Sequence, residues 1–310
     1  MKTYDIVTLT VNPALDKSAH FRGLAPDQKI RCEAPRYDAG GGGVNVSKAI
    51  ARLGGESLCV FTSGGSSGQL LKDLIATESI AAHPIETKSW TRESFVAVDD
   101  NTNSQYRFGF PGALITEAEK DEIIASISKL KTKYLVISGS LNESLELNFY
   151  QLIARLAKAA GAMVIVDTSG KALEMVLQEG VYLAKPNVGE LAKLIGVERL
   201  EMGEVADAAR QLIDKGSAEI VVVSLGAQGA VLVTKEQTEF VTAPNVARKS
   251  TVGAGDSMVG GMVWALSQGK DLKEVVSWGV ACGSAATMNE GTQLFKVEDA
   301  RRLFEWLGKK

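Results

Sequence analysis

Asp256 ends the run Ser250-Thr251-Val252-Gly253-Ala254-Gly255-Asp256, and a small-residue, apolar segment that reads as a helix follows it. Gly253 and Gly255 let consecutive backbone N–H groups, that of Ala254 among them, turn toward one point. The positive end of the helix behind them adds to the potential there. Such a hole suits the negative charge that develops on a transferring phosphoryl group. Asp256, in the same turn, can accept the proton of an attacking hydroxyl. The plainer role for an aspartate here is a helix cap.

A second run, Ala39-Gly40-Gly41-Gly42-Gly43-Val44-Asn45, opens another helix. Four glycines allow the backbone to lie flat against a polyhydroxylated ligand, and Asn45 on the first turn can bond hydroxyls. Asp16 comes just past the first strand, at the edge where open α/β sheets bind ligands. It can accept two sugar hydroxyls, although a lone aspartate at such a place is more often a turn residue. Its functional reading depends on the company of Gly41 and Asn45.

Two further motifs follow strands. In Lys185-Pro186-Asn187-Val188-Gly189-Glu190, Asn187 and Glu190 are three apart on a first helical turn and can face one spot. Their oxygens suit a hydrated Mg²⁺ bridging phosphates. The same spacing suits a capping box equally well. In Val221–Gly229, Ser224, Gly226 and Gly229 could line a nucleotide phosphate or ribose, or could simply form a β-hairpin turn.

The elements that must position these residues alternate. Apolar β runs at Tyr4–Val11, Ser57–Thr62, Tyr134–Ser138, Met163–Asp167, Tyr182–Ala184 and Ile220–Ser224 are separated by helical patterns. This predicts an α/β fold, a mainly parallel sheet with helices on both faces. Ser18–Tyr37 and Ser94–Phe110 break the alternation with strand-like segments. They predict a small antiparallel sheet that projects as a lid. From Asp256 onward the chain reads as helices over Ser257–Ser267, Leu272–Met288 and Val297–Leu307.

Composition excludes several classes. A formal charge of −3 with no long basic run argues against nucleic acid or an anionic membrane as a partner. Three cysteines without metal-ligand spacing fit a reduced, cytoplasmic protein. No stretch reaches transmembrane length and no apolar leader opens the chain. There is no G-x-x-x-x-G-K-[ST] and no G-x-G-x-x-G near the first strand, which disfavours P-loop and dinucleotide enzymes. His20 and His83 are the only histidines, and neither sits in a Ser/His/Asp context.

The glycine run with Asn45, the Asn187–Glu190 pair and Thr251–Asp256, in that order, resemble the ribokinase/PfkB family of carbohydrate kinases. Arg31-Cys32, Trp90-Thr91-Arg92, Tyr106-Arg107-Phe108, Ser138-Gly139-Ser140-Leu141 and Gly283-Ser284-Ala285-Ala286-Thr287 are similar to its phosphosugar branch. That branch holds bacterial 6-phosphofructokinases first, with tagatose-6-phosphate kinases and 1-phosphofructokinases sharing much of the pattern. The resemblance implies one kinase domain over residues 1–310, with a ribokinase-like, three-layer Rossmann-type core. The β lid, at about 18–37 and 94–110, would serve as a homodimer contact.

The implied reaction is ATP-dependent phosphorylation of the 1-hydroxyl of fructose 6-phosphate. Asp256 would be the base and Gly253, Ala254 and Gly255 the anion hole. Asp16, Gly41, Gly42, Asn45 and Ser140 would hold the sugar, with Arg92 and Lys29 on its phosphate. ATP would lie along Lys185, Asn187, Ser224, Gly226, Gly229 and Ser284, with Mg²⁺ near Glu190. Ser250, Val252, Ala286, Asn289, Gly291 and Gln293 match positions that bind a monovalent cation, K⁺, in several members. Ser250 stands where many kinases of unphosphorylated sugars carry aspartate, and Gln293 where arginine is expected. A kinase of an unphosphorylated sugar or nucleoside, and a silent sugar or nucleotide sensor on the same fold, are the rival readings.

Overall fold

The computed structural model describes residues 2–309. The first half of the chain runs β1 (Ile6–Thr10), β2 (Ala14–Phe21), β3 (Arg36–Gly40), α1 (Gly42–Arg52), β4 (Leu58–Ser63), α2 (Gly65–Ala76) and β5 (Ala81–Glu86). It continues through β6 (Arg92–Asp99), β7 (Ser104–Gly109), α3 (Glu117–Lys129), β8 (Tyr134–Ser138) and α4 (Phe149–Ala159). The second half is β9 (Met163–Asp167), α5 (Gly170–Leu177), β10 (Val181–Ala184), α6 (Val188–Ile195), α7 (Val205–Asp214) and β11 (Ala218–Ser224). It ends with β12 (Ala230–Val233), β13 (Thr238–Val241), α8 (Ala254–Ser267), α9 (Leu272–Thr287) and α10 (Val297–Leu307).

Nine strands form the large sheet, in the order β13-β12-β11-β10-β9-β8-β1-β4-β5. It is parallel except where β12 pairs antiparallel with β11 and β13. Strands such as β1 and β8 are buried along their whole length, as a parallel sheet covered on both faces requires. One core joins the sheet to α3–α7. A second joins it to α1, α8, α9 and α10, and a smaller third packs α2 against β3, β4 and α1. The result is three layers. Among the described residues, no helix is long and apolar enough to cross a membrane.

The order reverses at β1, which lies between β4 and β8. The crevice at the carboxyl ends of these strands is where an open α/β sheet binds ligands. The glycine run lies there, and its glycines answer to the protein's own backbone. A Cβ on Gly42 would stand 2.4 Å from Ser138 Oγ and 2.5 Å from the Gly139 nitrogen. Their lack of side chains therefore lets α1 start hard against the end of β8, whatever ligand the exposed side meets.

Four strands form the small sheet, in the order β3-β2-β6-β7. The expectation of an antiparallel sheet needs correction: β2 and β6 pair in parallel. Both strands leave the crevice in the same direction, because β4 and β5 of the large sheet intervene between them. The strands also begin earlier than their polar alternation indicated. β2 starts at Ala14, so Asp16 lies within a strand and not in the loop expected after β1. α3, β5, β12 and β13 had no reading in the sequence.

Candidate active site

α8 begins at Ala254, three residues before the expected start. Gly253 caps it in the left-handed region, at φ 72°, without a side-chain bond. Only glycine adopts this conformation at little cost. The first full helical bond runs from the Ser257 N–H to the Gly253 carbonyl at 2.8 Å. The amides of Gly255 and Asp256 therefore precede the helical ladder and keep their donors for an anion, whereas the Ala254 N–H, expected among them, donates to the Thr251 carbonyl at 3.4 Å. Asp256 is the third helical residue, so it does not cap the helix. The plainer reading of this aspartate fails on that geometry.

Asn45 Nδ2 donates to Asp256 Oδ2 at 2.8 Å. The amide expected to meet sugar hydroxyls thus orients the candidate base. The contact depends on α8 packing closely on α1, where a Cβ at Gly260 would stand 2.4 Å from Ala49 Cβ. Burial, then the Asp167 carboxylate, push Asp256 up to about 6, while Asn45 and Lys185 pull it down. A base in that range is ionised at neutral pH and can still take a proton. Replacing Asn45 by alanine removes one downward influence. We expect the acidic limb of a kcat/KM–pH profile, which reports groups of the free enzyme, to move upward from about 6. kcat at pH 7 should fall by about tenfold. An unmoved limb would mean that Asn45 does not tune the base.

Lys185 Nζ is 3.0 Å from Asp167 Oδ1 at the end of β9. Burial pulls this ammonium down, but Asp167, Glu190 and Asp256 outweigh it and leave it above its ordinary value. Lys185, expected along the nucleotide, therefore stays charged behind the start of α8 and does not line the cavity formed by Ser224, Gly226 and Ser284. Asp167 was not singled out in the sequence. It ends a buried β run as Asp16 follows one, and that place at a strand's carboxyl edge is the signal that could have found it.

The residues expected to hold the sugar are presented by the small sheet and the loops beside it. Asp16 and Arg92 stand on the paired strands β2 and β6, where Ala14 is opposite Arg92 and Asp16 opposite Ser94. Burial pushes Asp16 up to about 6 against the charges of Arg92 and Lys48. The Arg92 guanidinium donates to the Asn12 carbonyl, from Nε at 3.4 Å and Nη2 at 3.3 Å. The Asn12 amide in turn donates to Ser140 Oγ at 3.0 Å. Asn12, also unnoticed in the sequence, links Arg92 and Ser140. Lys29 does not join them. It lines a separate hollow of about 360 Å³ on the loop after β2, whose walls include none of Asp16, Arg92 or Asp256.

On the other side of α8's start lies a cavity of about 580 Å³. Ser224, Gly226, Gly229 and Ser284 line it, as do Ala254 and Gly255 at the start of α8. Asn245, Arg248 and Met258 line it too and carried no motif. Gly226 and Gly229 also turn the β11–β12 hairpin, with Leu225 N–H bonded to the Gly229 carbonyl at 2.8 Å. Both readings of these glycines hold together. A Cβ on Gly229, at φ 103°, would stand 1.9 Å from the Val241 carbonyl, whereas one on Gly226 meets nothing. Gly229→Ala should therefore lower Tm sharply. Gly226→Ala should cost only the left-handed strain of about 1–2 kcal/mol. Equal melting of the two variants would contradict this account.

Asn187 and Glu190 form a reciprocal capping box. Asn187 Oδ1 accepts from the Glu190 N–H and Glu190 Oε2 accepts from the Asn187 N–H, each at 2.9 Å. One oxygen of each is thus engaged by the helix start, and a bare metal site made of both is not what the geometry offers. Asn187 is also bridged to Ser224 on the next strand. Among the described residues, no cluster of three acidic, histidine or cysteine side chains could hold a metal.

Of the six residues matched to a cation site, Ala286 lies in the last turn of α9 and the other five on two loops that meet. Ser250 Oγ donates to the Gly291 carbonyl at 2.8 Å and accepts from the Val252 N–H at 3.2 Å. Asn289 Nδ2 donates to the Ala285 carbonyl at 3.0 Å. The donors available there are neutral oxygens, which suit a monovalent rather than a divalent ion.

A family model, the pfkB family of carbohydrate kinases, matches residues 3–300. The chain belongs to the pfkB family of carbohydrate kinases. This family member is 40% identical over 306 residues to the ATP-dependent 6-phosphofructokinase isozyme 2 of Escherichia coli, covering 98% of this chain and 99% of the relative. The crystal structure of Escherichia coli phosphofructokinase-2 in complex with potassium superposes with a TM-score of 0.95 at 40% identity, covering 99% of this chain and 100% of that one. The same protein in complex with fructose 6-phosphate gives 0.94 at 38% identity, with 99% and 100% covered. Its tetrameric inhibited form gives 0.92 at 39% identity, again with 99% and 100% covered.

Proposed function

We propose that this pfkB family kinase transfers the γ-phosphoryl group of ATP to the 1-hydroxyl of fructose 6-phosphate. The observation that carries the reading is the placement of Asp256. It sits between the nucleotide cavity and the Asp16–Arg92 strands, in the same helical turn as the anion hole, with Asn45 fixing one of its oxygens. The likeness to an Escherichia coli protein solved with fructose 6-phosphate supports the choice of sugar.

In this reading Asp16 and Ser140 receive the sugar hydroxyls and Arg92 receives its phosphate. Asp256 takes the 1-hydroxyl proton as that oxygen attacks the γ-phosphorus in line. The amides of Gly255 and Asp256 stabilise the charge on the transferring oxygens, with Lys185 behind them. ATP lies along Ser224, Gly226, Gly229 and Ser284, beside Asn187. Glu190, through the oxygen outside the capping box, would face a Mg²⁺ bound with the phosphates, which would supply positive charge to them. K⁺, held by the carbonyls of residues 250–252 and 286–293, would add fixed positive charge near the anion hole. The small sheet acts as a lid that excludes water from the transfer. Its partly exposed β7, where Phe108 is 49% exposed, supports its use as the contact of a homodimer. The three unpaired cysteines support a cytoplasmic setting.

The test is ADP release from MgATP in KCl with fructose 6-phosphate, tagatose 6-phosphate, fructose 1-phosphate, fructose and ribose. The highest kcat/KM is expected for fructose 6-phosphate. A higher value for another phosphosugar would change the substrate and keep the mechanism. No turnover with any of them would overturn the kinase reading.

A further inference from the structure

Thr292 lies between two residues of the cation loops, Gly291 and Gln293, and its hydroxyl donates to Asp38 Oδ2 at 2.7 Å. Both side chains are buried. Asp38 is on β3, directly opposite Asp16 of β2 in the register of the small sheet. Arg36 closes the other side of the Asp38 carboxylate. Its Nε lies 3.1 and 3.0 Å from the two oxygens and its Nη2 2.8 Å from Oδ1. Lys48 and Arg52 of α1 also feel this charge. Arg52 donates in addition to the Phe295 carbonyl at 2.8 Å, at the end of the same loop.

The loop is tied equally on its other side. Ser250 Oγ holds the Gly291 carbonyl at 2.8 Å, and Lys249 Nζ holds Glu290 Oε1 at 3.0 Å. Segment 290–295 is therefore suspended between the loop that leads into the anion hole and the strand that backs Asp16. A buried carboxylate is a costly anchor for a loop, since its desolvation has to be offset by paired donors. Here it stands next to the sugar-side carboxylate.

We propose that Asp38 and Thr292 are positioning residues that couple monovalent-cation binding to phosphosugar binding. The inference rests on the cation reading given above. The Thr292–Asp38 bond fixes the backbone of Gly291 and Gln293 on one side and the β3–β2 pair on the other. A cation that orders the loop thereby stabilises the strand pair that presents Asp16. Coupling between two sites is reciprocal, so K⁺ should tighten the sugar and the sugar should tighten K⁺.

The experiment uses the full chain without nucleotide, so nothing turns over. The Kd for fructose 6-phosphate is measured by calorimetry in KCl and in NaCl at equal ionic strength, alongside melting midpoints in the two salts. The unaltered chain should bind the sugar about tenfold tighter in KCl and melt higher there. Thr292→Val should bring the KCl/NaCl affinity ratio to within about twofold of one, with affinity in NaCl unchanged. Thr292→Ser, which keeps the hydroxyl, should restore the ratio. If Thr292→Val does not fold, Asp38→Asn undergoes the same comparison, since it keeps an acceptor and removes the charge. A full KCl preference in the valine variant overturns the proposal. So does a KCl melting shift without a salt-dependent sugar affinity, which leaves the cation reading standing. Equal melting of the unaltered chain in both salts overturns the cation reading and this proposal together.

Discussion

Asp256→Asn is expected to lower kcat by about 10³-fold, the middle to upper range for losing a general base. The KM for each substrate should stay within about threefold of its original value, because uniform binding is untouched. Asparagine keeps the shape and can still accept from Asn45 Nδ2. What it cannot do is take the proton. The acidic limb near pH 6 that Asp256 gives the parent kcat/KM profile should vanish from the residual activity. Steady-state ADP release from pH 5.5 to 8.5 measures both. A variant with near-parental turnover would remove Asp256 from the chemistry.

The same substitution has a stability consequence of opposite sign. The carboxyl of Asp256 titrates near 6 in the folded chain against 3.8 ordinarily. The folded state therefore holds the proton more tightly. The associated stability is fully present below about pH 4 and is lost as pH rises through about 6. At pH 8 the ionised, buried carboxylate weakens the fold, and asparagine does not. Asp256→Asn should melt roughly 2–4 °C higher than the parent at pH 8 and no higher at pH 4. Higher stability with lost turnover is the mark of a group kept for function at the expense of the fold.

What could be read in the sequence, and what could not, divides along chain separation. Gly253–Asp256 and Gly40–Gly43 are local, and their chemistry is written in adjacent residues. The parallel strands are local too, as buried apolar runs. The partner of a side chain is not. Asn45 meets Asp256 across 211 residues and Thr292 meets Asp38 across 254, and no spacing rule joins them. Polar alternation marks β2 and β6 as strands but says nothing about their relative direction. That direction is set by the β4 and β5 units inserted between them. Asn187 and Glu190 fit two readings by spacing, and only coordinates could show the capping box formed. Lys29 is placed on the phosphate by the family resemblance alone, yet the loop after β2 carries it to another hollow.

Arg92→Ala is expected to raise the KM for fructose 6-phosphate by about 100-fold, the worth of a charge-assisted phosphate contact. The KM for ATP should not change, since the nucleotide cavity lies across α8 and Arg92 does not line it. The guanidinium is held by the Asn12 carbonyl through two of its N–H groups, which leaves the rest of the fork for an anion. Its charge also lowers the proton affinity of Asp16, which burial already raises to about 6. Removing it should push Asp16 further up and weaken hydroxyl recognition near neutral pH. Part of the lost affinity should then return as pH rises, because the ionised carboxylate is regained. Arg92→Lys keeps the charge but not the planar fork, so an intermediate KM is expected. Fructose, which lacks the phosphate, supplies the control. The parent should prefer fructose 6-phosphate strongly over fructose, and Arg92→Ala should remove most of that preference, because the loss through Asp16 is shared by both sugars and the loss of the phosphate contact is not. An unchanged phosphosugar KM would take Arg92 out of the site and leave the phosphate to another cation.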